Sequence, residues 1–387
     1  TMTKRAFLEI VRDIYFYAVV GGSLIFLVVN ADQAGSSYGT PVEPVTYHIL
    51  DALSGTFSIF MILLIAFYAG ELVWRERDLD LQQVHDAMPL PTVLSLSAKG
   101  TALGLVCAVL MLVVLVTGIG TQLAYGFTDI NVGLYVTDLY AVEWVDYLLL
   151  CVLALTVHAV VNHKYLGHFV MVAFFLGLLF SSQLGLEHNL FKYGSDPGTP
   201  YSAMNGYGHF AIGFFWYKLL WGGIAILMAV FARLAWVRGE DTTLAMRLTK
   251  ARRRVSPALY GTMGVAGVLA LGVGAYVYVN TTVWNTFRTQ DEQRALSAEY
   301  EKTYEDDAAM PQPRIAAADL NVDIYPDERD ARLAGQYTLV NDHPRPVDTL
   351  HVEIPASMTV NTIDVSRTME TVRVNDTLGV RWLRLSE

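Results

Sequence analysis

The chain has 387 residues, 53% hydrophobic and only 17% charged, with a formal net charge of −10. A soluble globular domain carries about a quarter charged residues, so this balance, with mean hydropathy +0.37, excludes an ordinary soluble protein over the whole length. It also argues against nucleic-acid binding, which needs a basic surface; the acid is concentrated in a tail after Asn280, at Asp291, Glu292, Glu299, Glu301, Glu305, Asp306 and Asp307.

Seven apolar stretches come before that tail: Ile14–Val29, Ile49–Ala69, Leu103–Leu123, Tyr147–Val161, Phe169–Leu186, Phe214–Trp236 and Leu259–Val279. Each approaches the roughly 20 residues of helix that cross a hydrocarbon core about 30 Å thick. Cys107 and Cys151 lie inside two of them and act there as small hydrophobes. No disulfide framework and no C-x-x-C zinc pair is present. The chain opens on Thr1 without a signal-peptide pattern, which points to a piece of a longer polypeptide.

Loop charge alternates along the chain. Lys4, Arg5 and Arg12 come before the first stretch, Arg75, Arg77 and Lys99 lie between the second and third, and Lys164 lies between the fourth and fifth. Arg233, Arg238, Arg247, Lys250, Arg252, Arg253 and Arg254 lie between the sixth and seventh, whereas residues 31–47 and 124–146 contain no Lys or Arg. Cytoplasmic loops are the basic ones, so the expectation is a cytoplasmic N-terminus and a tail outside the cell's inner (plasma) membrane, which it crosses several times.

Between the second and third stretches the chain runs Glu76-Arg77-Asp78, then Leu81, Val84 and Met88 at helical spacing, then Pro89 and Lys99. A short amphipathic helix ended by Pro89 follows from that pattern; an ordinary charged loop is the plainer alternative. The order of an acidic-Arg-acidic run, a short helix, a residue–Pro turn and a Lys resembles the ABC-2 family of permeases. That resemblance implies a coupling helix contacting a cytoplasmic ABC ATP-binding subunit, with Glu76, Arg77, Leu81 and Val84 as contact candidates. No G-x-x-x-x-G-K-[ST] occurs here, so nucleotide would be bound by another polypeptide.

Ionisable groups near the apolar stretches are Asp51, Glu71, His158, His168 and Lys218. Glu71, His168 and Lys218 are close enough to the ends to snorkel. His158 is the deepest, either a neutral core histidine or an intramembrane polar group with a role in transport. Gly100 and Gly104, and the glycines of the last stretch from Gly261 to Gly274, are expected to pack helices. The segments Asn162–His168 and Tyr201–Gly206 resemble ABC-2 permeases fused to an M1-type peptidase.

In the tail, helix-forming residues at Asp291–Tyr304 read as a stalk, followed by Pro311 and Pro313. From Arg314 the period becomes two: Leu320, Val322 and Ile324, then Tyr337 and Leu339, then Leu350, Val352 and Ile354, then Val372 and Val374. Turn residues separate these runs, which predicts one antiparallel β layer. The runs through Leu320–Pro326, Gly335–Tyr337 and Asp348–Val352 look like the opening of the N-terminal β domain of M1 zinc aminopeptidases. That family holds zinc through H-E-x-x-H and a later Glu. Neither that motif nor Gly-Ala-Met-Glu-Asn is present, and His343 and His351 lack the spacing.

The expected fold is an α-helical polytopic membrane bundle of about seven helices, ABC-2-like, over residues 1–280. An extracytoplasmic stalk over 281–313 and a partial all-β domain over 314–387 complete it. The expected function is the permease portion of an ABC-2-type transporter fused to an M1-type metallopeptidase and energised by a separate ATP-binding subunit. The alternative is a membrane anchor for a zinc aminopeptidase whose catalytic region, zinc included, is absent from this chain. The lipid bilayer is the other partner, and the sequence leaves an oligomer open.

Overall fold

The structure is a computed structural model that describes residues 2–33, 36–37, 40–81, 87–88, 90–237, 244–251, 255–307, 309–326, 328, 330–355 and 358–386. By its contacts the chain divides into two units, Thr1–Phe287 and Arg288–Glu387.

The first unit is helical. A short amphipathic helix, α1 (Met2–Val11), buries Ala6 and Ile10 and exposes Lys4 and Arg5. Next come α2 (Ile14–Gln33), α3 (Thr46–Asp78), α4 (Thr92–Ala124) and α5 (Val132–Val161). Then follow α6 (Lys164–Leu179), α7 (Phe210–Ala235), the short α8 (Leu244–Ala251) and α9 (Pro257–Tyr278). The start of α9 is capped by the Ser256 hydroxyl, which accepts from the Leu259 N–H. Among the described residues six helices are long and apolar enough to cross a bilayer, the mark of a multi-pass membrane protein. Their outer faces carry exposed large apolar residues such as Ile25, Leu63, Val116, Val268 and Leu271, which suits lipid and not water.

Two of the predicted stretches change. The fourth begins at Val132 instead of Tyr147, because the chain through Asp138, Glu143 and Asp146 is helical, widened to a π-helix over Thr137–Glu143. The fifth, predicted over Phe169–Leu186, is the 16-residue α6. At 1.5 Å per residue it is about 24 Å long, short of the hydrocarbon core. It ends at Leu179, and the chain turns through Phe180–Gly185, where Gly185 takes φ +72°. By contrast α3 and α4 have 33 residues each, about 50 Å, so their ends project past the lipid. The last turn of α3 carries Arg75 and Arg77 there.

The core of this unit is formed chiefly by α1 to α5, with Leu53, Phe57, Met61, Ile65, Leu103, Met111 and Tyr135 almost fully buried. A smaller cluster joins α5, α7 and α9 through Leu149, Tyr217, Trp221 and Val273. The predicted glycine packing holds in part. A Cβ on Gly104 would sit 2.7 Å from Leu148, and one on Gly223 would sit 3.2 Å from the α9 backbone. Along α9, however, Cβ atoms at Gly261, Gly264, Gly267 and Gly272 would meet nothing within 4 Å, so those glycines do not pack helices among the described residues of this chain.

One buried polar knot ties three helices at the end opposite Arg75. Gln122 donates to the Pro44 carbonyl at 2.8 Å and to Thr46 Oγ1 at 3.2 Å, while the Tyr135 hydroxyl donates to Gln122 Oε1 at 2.9 Å. Removing that hydroxyl strands a buried acceptor, which costs about 1–3 kcal/mol. Tyr135→Phe is therefore expected to lower the melting temperature of the detergent-solubilised protein; an unchanged thermal melt would show the hydrogen bond to be dispensable.

The second unit starts with α10 (Gln290–Tyr304), whose N-terminus has a capping box: Thr289 accepts from the Glu292 N–H and Glu292 accepts from the Thr289 N–H. The Thr289 N–H, and then the Thr289 side chain, hold the Glu292 carboxyl below its ordinary range. Instead of one β layer there are two antiparallel sheets. One pairs β3 (Arg314–Tyr325) with β4 (Asp330–Val340); the other orders β5 (Thr349–Glu353), β7 (Val380–Leu385) and β6 (Met369–Asn375), with β7 central. A tiny hairpin, β1 (Ser36–Ser37) with β2 (Thr40–Pro41), belongs to the first unit. The β6–β7 turn needs Gly379, at φ +69°, because a Cβ would collide with the Ile354 carbonyl. Helix α10 packs on the three-stranded sheet: Tyr304 is buried with Val380 and Trp382, and the Arg373 guanidinium lies 5.1 Å above the Tyr304 ring. The Tyr300 hydroxyl donates to the Glu353 carboxylate, which pushes the phenol up to about 12.

Candidate functional site

At the projecting end of α3 the sequence places five charged residues within eight positions, and the structure pairs them with neighbouring helices. Glu76 Oε1 lies 3.1 Å from the ammonium of Lys99, a buried residue at the start of α4. The Lys99 Nζ also lies 5.2 Å from the centre of the Trp236 ring. Arg77 stacks on Trp74 at 4.4 Å and donates from Nη1 to Asn162 Oδ1 at 2.5 Å. Asn162 ends α5 in the left-handed conformation, φ 53°, where Asn is tolerated better than most side chains. Lys164 Nζ then bridges Glu71 Oε1 and Asp78 Oδ2, each at 2.8 Å. Glu9 of α1 takes Arg75 at 3.9 Å.

Arg247 of α8 completes this end. It is buried and donates from Nη1 to the carbonyls of Ala159 and Ala235 at 3.1 and 2.9 Å, and from Nη2 to the Val160 carbonyl at 2.9 Å. Those are C-terminal carbonyls of α5 and α7, which lack intrahelical donors. Helices α1, α3, α4, α5, α6, α7 and α8 are thus fastened together around the end of α3. Beside it runs a groove of about 370 Å³, whose apolar lining includes Leu72, Leu79, Leu81, Met88 and Leu90. Leu81 is 45% exposed.

His158 lies beneath this end. It is 1% exposed, its ring centre is 4.7 Å from that of His168, and the two rings meet edge to face. A Cβ on Gly70 or Gly167 would overlap the His158 ring, so glycine is what lets α3 and α6 close on it. The Ala66 carbonyl is near both imidazoles, yet neither His158 nitrogen reaches a partner at hydrogen-bond geometry among the described residues.

The opposite end is acidic. Asp138, Glu143 and Asp146 sit on the π-widened part of α5 and just after it, and Asp51 of α3 lies within electrostatic reach of Glu143. The Tyr207 hydroxyl donates to Asp138 Oδ1 at 2.7 Å. Burial, and then that bond, push the phenol above its ordinary value, so it stays a donor. Lys218 of α7 is buried between Asp146 and Asp196, 2.6 Å from Asp196 Oδ2, and donates to the Gly194 carbonyl at 2.7 Å. Close by, His188 Nε2 is 3.0 Å from Thr281 Oγ1, and burial, then Lys192, hold its imidazole below the ordinary value.

No known family, curated protein or solved structure matches the chain. What can be said of function therefore rests on these two ends. Of the sequence candidates, Glu76 and Arg77 are brought together with Lys99 and Asn162, Leu81 lines the groove, and Val84 lies outside the described residues. Lys218 does not snorkel; it is buried in an ion-pair triad. Glu71 is held by Lys164. Arg247, Asp138, Glu143 and Asp146 were not singled out from sequence. Three acids within nine positions of an otherwise apolar segment were the available signal for the last of these. Among the described residues no group of three or more His, Cys, Asp or Glu is arranged to hold a metal ion.

Proposed function

We propose that the chain is the permease portion of an ABC-2-type transporter with about seven spans, fused to an M1-type peptidase. In this reading it works in the cell's inner membrane with its basic end in the cytoplasm, and a separate ATP-binding subunit docks on the segment Arg75–Pro91. The observation that carries the proposal is the cross-linking of that segment's root. A force applied beyond Asp78 meets Glu76–Lys99, Arg77–Asn162 and Lys164–Asp78 pairs, which connect α3 to α4, to the end of α5 and to α6. Partly buried pairs of this kind resist displacement of one helix without the others. The neighbouring apolar groove, with Leu81 on its rim, offers the surface into which a partner could bury side chains.

In that mechanism Glu76 and Arg77 act inside the permease, holding the lever to the bundle, while Leu81 and Val84 are the contacts to the partner. No step of peptide hydrolysis is assigned to any residue of this chain.

The test is co-purification of an ATP-binding protein with the intact membrane protein. Leu81→Asp alters an exposed side chain outside the ion pairs and is expected to abolish co-purification while thermal stability is kept. Glu76→Lys is expected to lose both, and Glu76→Lys with Lys99→Glu to regain stability by restoring the pair. An unmodified chain that brings down no ATPase, or a Leu81→Asp chain that brings down as much as the parent, would overturn the proposal.

A further inference from the structure

We infer that α1 and the end of α3 form a binding site for an anionic phospholipid. A hollow of about 730 Å³ is lined by Lys4, Arg5, Arg12 and Arg75 together with Glu9 and Asp13. Four cations against two carboxylates leave a net charge of +2 facing one space. The cations come from α1, the turn after it and α3, and Glu9 holds two of them in place, Arg5 at 3.1 Å and Arg75 at 3.9 Å. A net positive charge around one hollow attracts an oppositely charged group to it.

Lys4 also lines a second, apolar trough of about 550 Å³, formed by Phe7, Leu105, Val109, Leu112 and Tyr140 among others. Leu105, Val109 and Leu112 follow one face of α4, a helix that crosses the membrane, and each is 43–50% exposed. A basic hollow that shares a residue with a lipid-facing apolar trough fits a molecule with an anionic head and an acyl chain. A soluble phosphate would use the hollow and leave the trough empty. Basic pockets between membrane helices take headgroups of this kind. Helix α1 is amphipathic and suited to the interface where both features meet. The inference needs only that the chain is embedded in a membrane; it stands or falls apart from the ATPase reading.

The full chain, extracted in mild detergent and supplied with equal amounts of dioleoyl phosphatidylglycerol and dioleoyl phosphatidylcholine, is examined by native mass spectrometry. The parent is expected to retain the anionic lipid in preference by roughly tenfold. Lys4→Gln with Arg12→Gln brings the charge count of the hollow to zero and is expected to remove the preference, whereas Lys4→Arg with Arg12→Lys keeps it, which separates charge from folding. Val109→Trp fills the trough with every charge left in place and is expected to lower retention of the anionic lipid. Equal retention of the two lipids by the parent, or a preference that survives the double Gln change, would overturn the inference. So would displacement of the lipid by millimolar glycerol phosphate, which would make a soluble phosphate the ligand, or a Val109→Trp protein that binds like the parent.

Discussion

Replacing Lys218 with methionine is expected to destabilise the helical unit by about 3–5 kcal/mol, the scale for stranding a buried charge by removing its partner. The side chain of Lys218 is 7% exposed, and the Asp196 side chain that faces it is 13% exposed. Without the ammonium, the nearly buried Asp196 is left facing Asp146, whose side chain is 42% exposed, so the penalty falls chiefly on Asp196. The Gly194 carbonyl and the Ser195 carbonyl, which takes the Trp221 indole N–H at 2.7 Å, hold the same loop against α7, so the loss spreads to the loop that packs there. The check is thermal unfolding in detergent of Lys218→Met, of Asp196→Asn, and of the two combined. Because the charges act as a unit, the combined variant is expected to be more stable than Lys218→Met alone. A Lys218→Met protein that melts with the parent would mean that the triad is solvated and contributes little.

That triad also shows where sequence reading stops. Hydropathy located most of the spans, because a helix facing lipid must be apolar nearly all round. It failed at Asp138, Glu143 and Asp146, whose charges lower the average and made residues 124–146 look like a loop. The helix persists there because Tyr207 and Lys218 supply partners from 69 and 72 positions away, and no local window contains those partners. It failed in the other direction at Phe180–Leu186, apolar enough to extend a span but turned by the backbone at Gly185.

At the basic end the residue types were legible and their partners were not. Glu76, Arg77 and Lys99 stood out as a pattern, but a charge pattern reads equally well as a solvated loop, and Asn162 as the receiver of Arg77 is 85 positions on. Arg247 counted only as one more basic loop residue. Its burial comes from the helix ends it caps, which are a property of the assembled bundle. In the second unit alternation found four strands and missed β7, where Val380, Trp382 and Leu383 are buried and alternation is broken. A strand central to its sheet is covered more fully than its neighbours and loses the polar half of the pattern.

A methyl group added at Gly167 is expected to cost about 1–3 kcal/mol, the penalty for overpacking a filled interior. The new Cβ would stand 2.6 Å from His158 Cε1, and the ring cannot retreat, since Gly70 and His168 close its other sides. Shrinking the obstacle should relieve the clash: Gly167→Ala combined with His158→Ala is expected to be less destabilised than the sum of the single changes. His158→Leu separates packing from polarity. The imidazole N–H is buried and meets no hydrogen-bond partner of ordinary geometry among the described residues, and a buried donor in that condition costs about 1–3 kcal/mol. An apolar side chain of similar size removes that cost and is expected to melt at or above the parent temperature. If His158→Leu instead falls by more than about 2 kcal/mol, the ring is satisfied in the working protein by a group it binds there, and the histidine is a polar site of the membrane bundle instead of core.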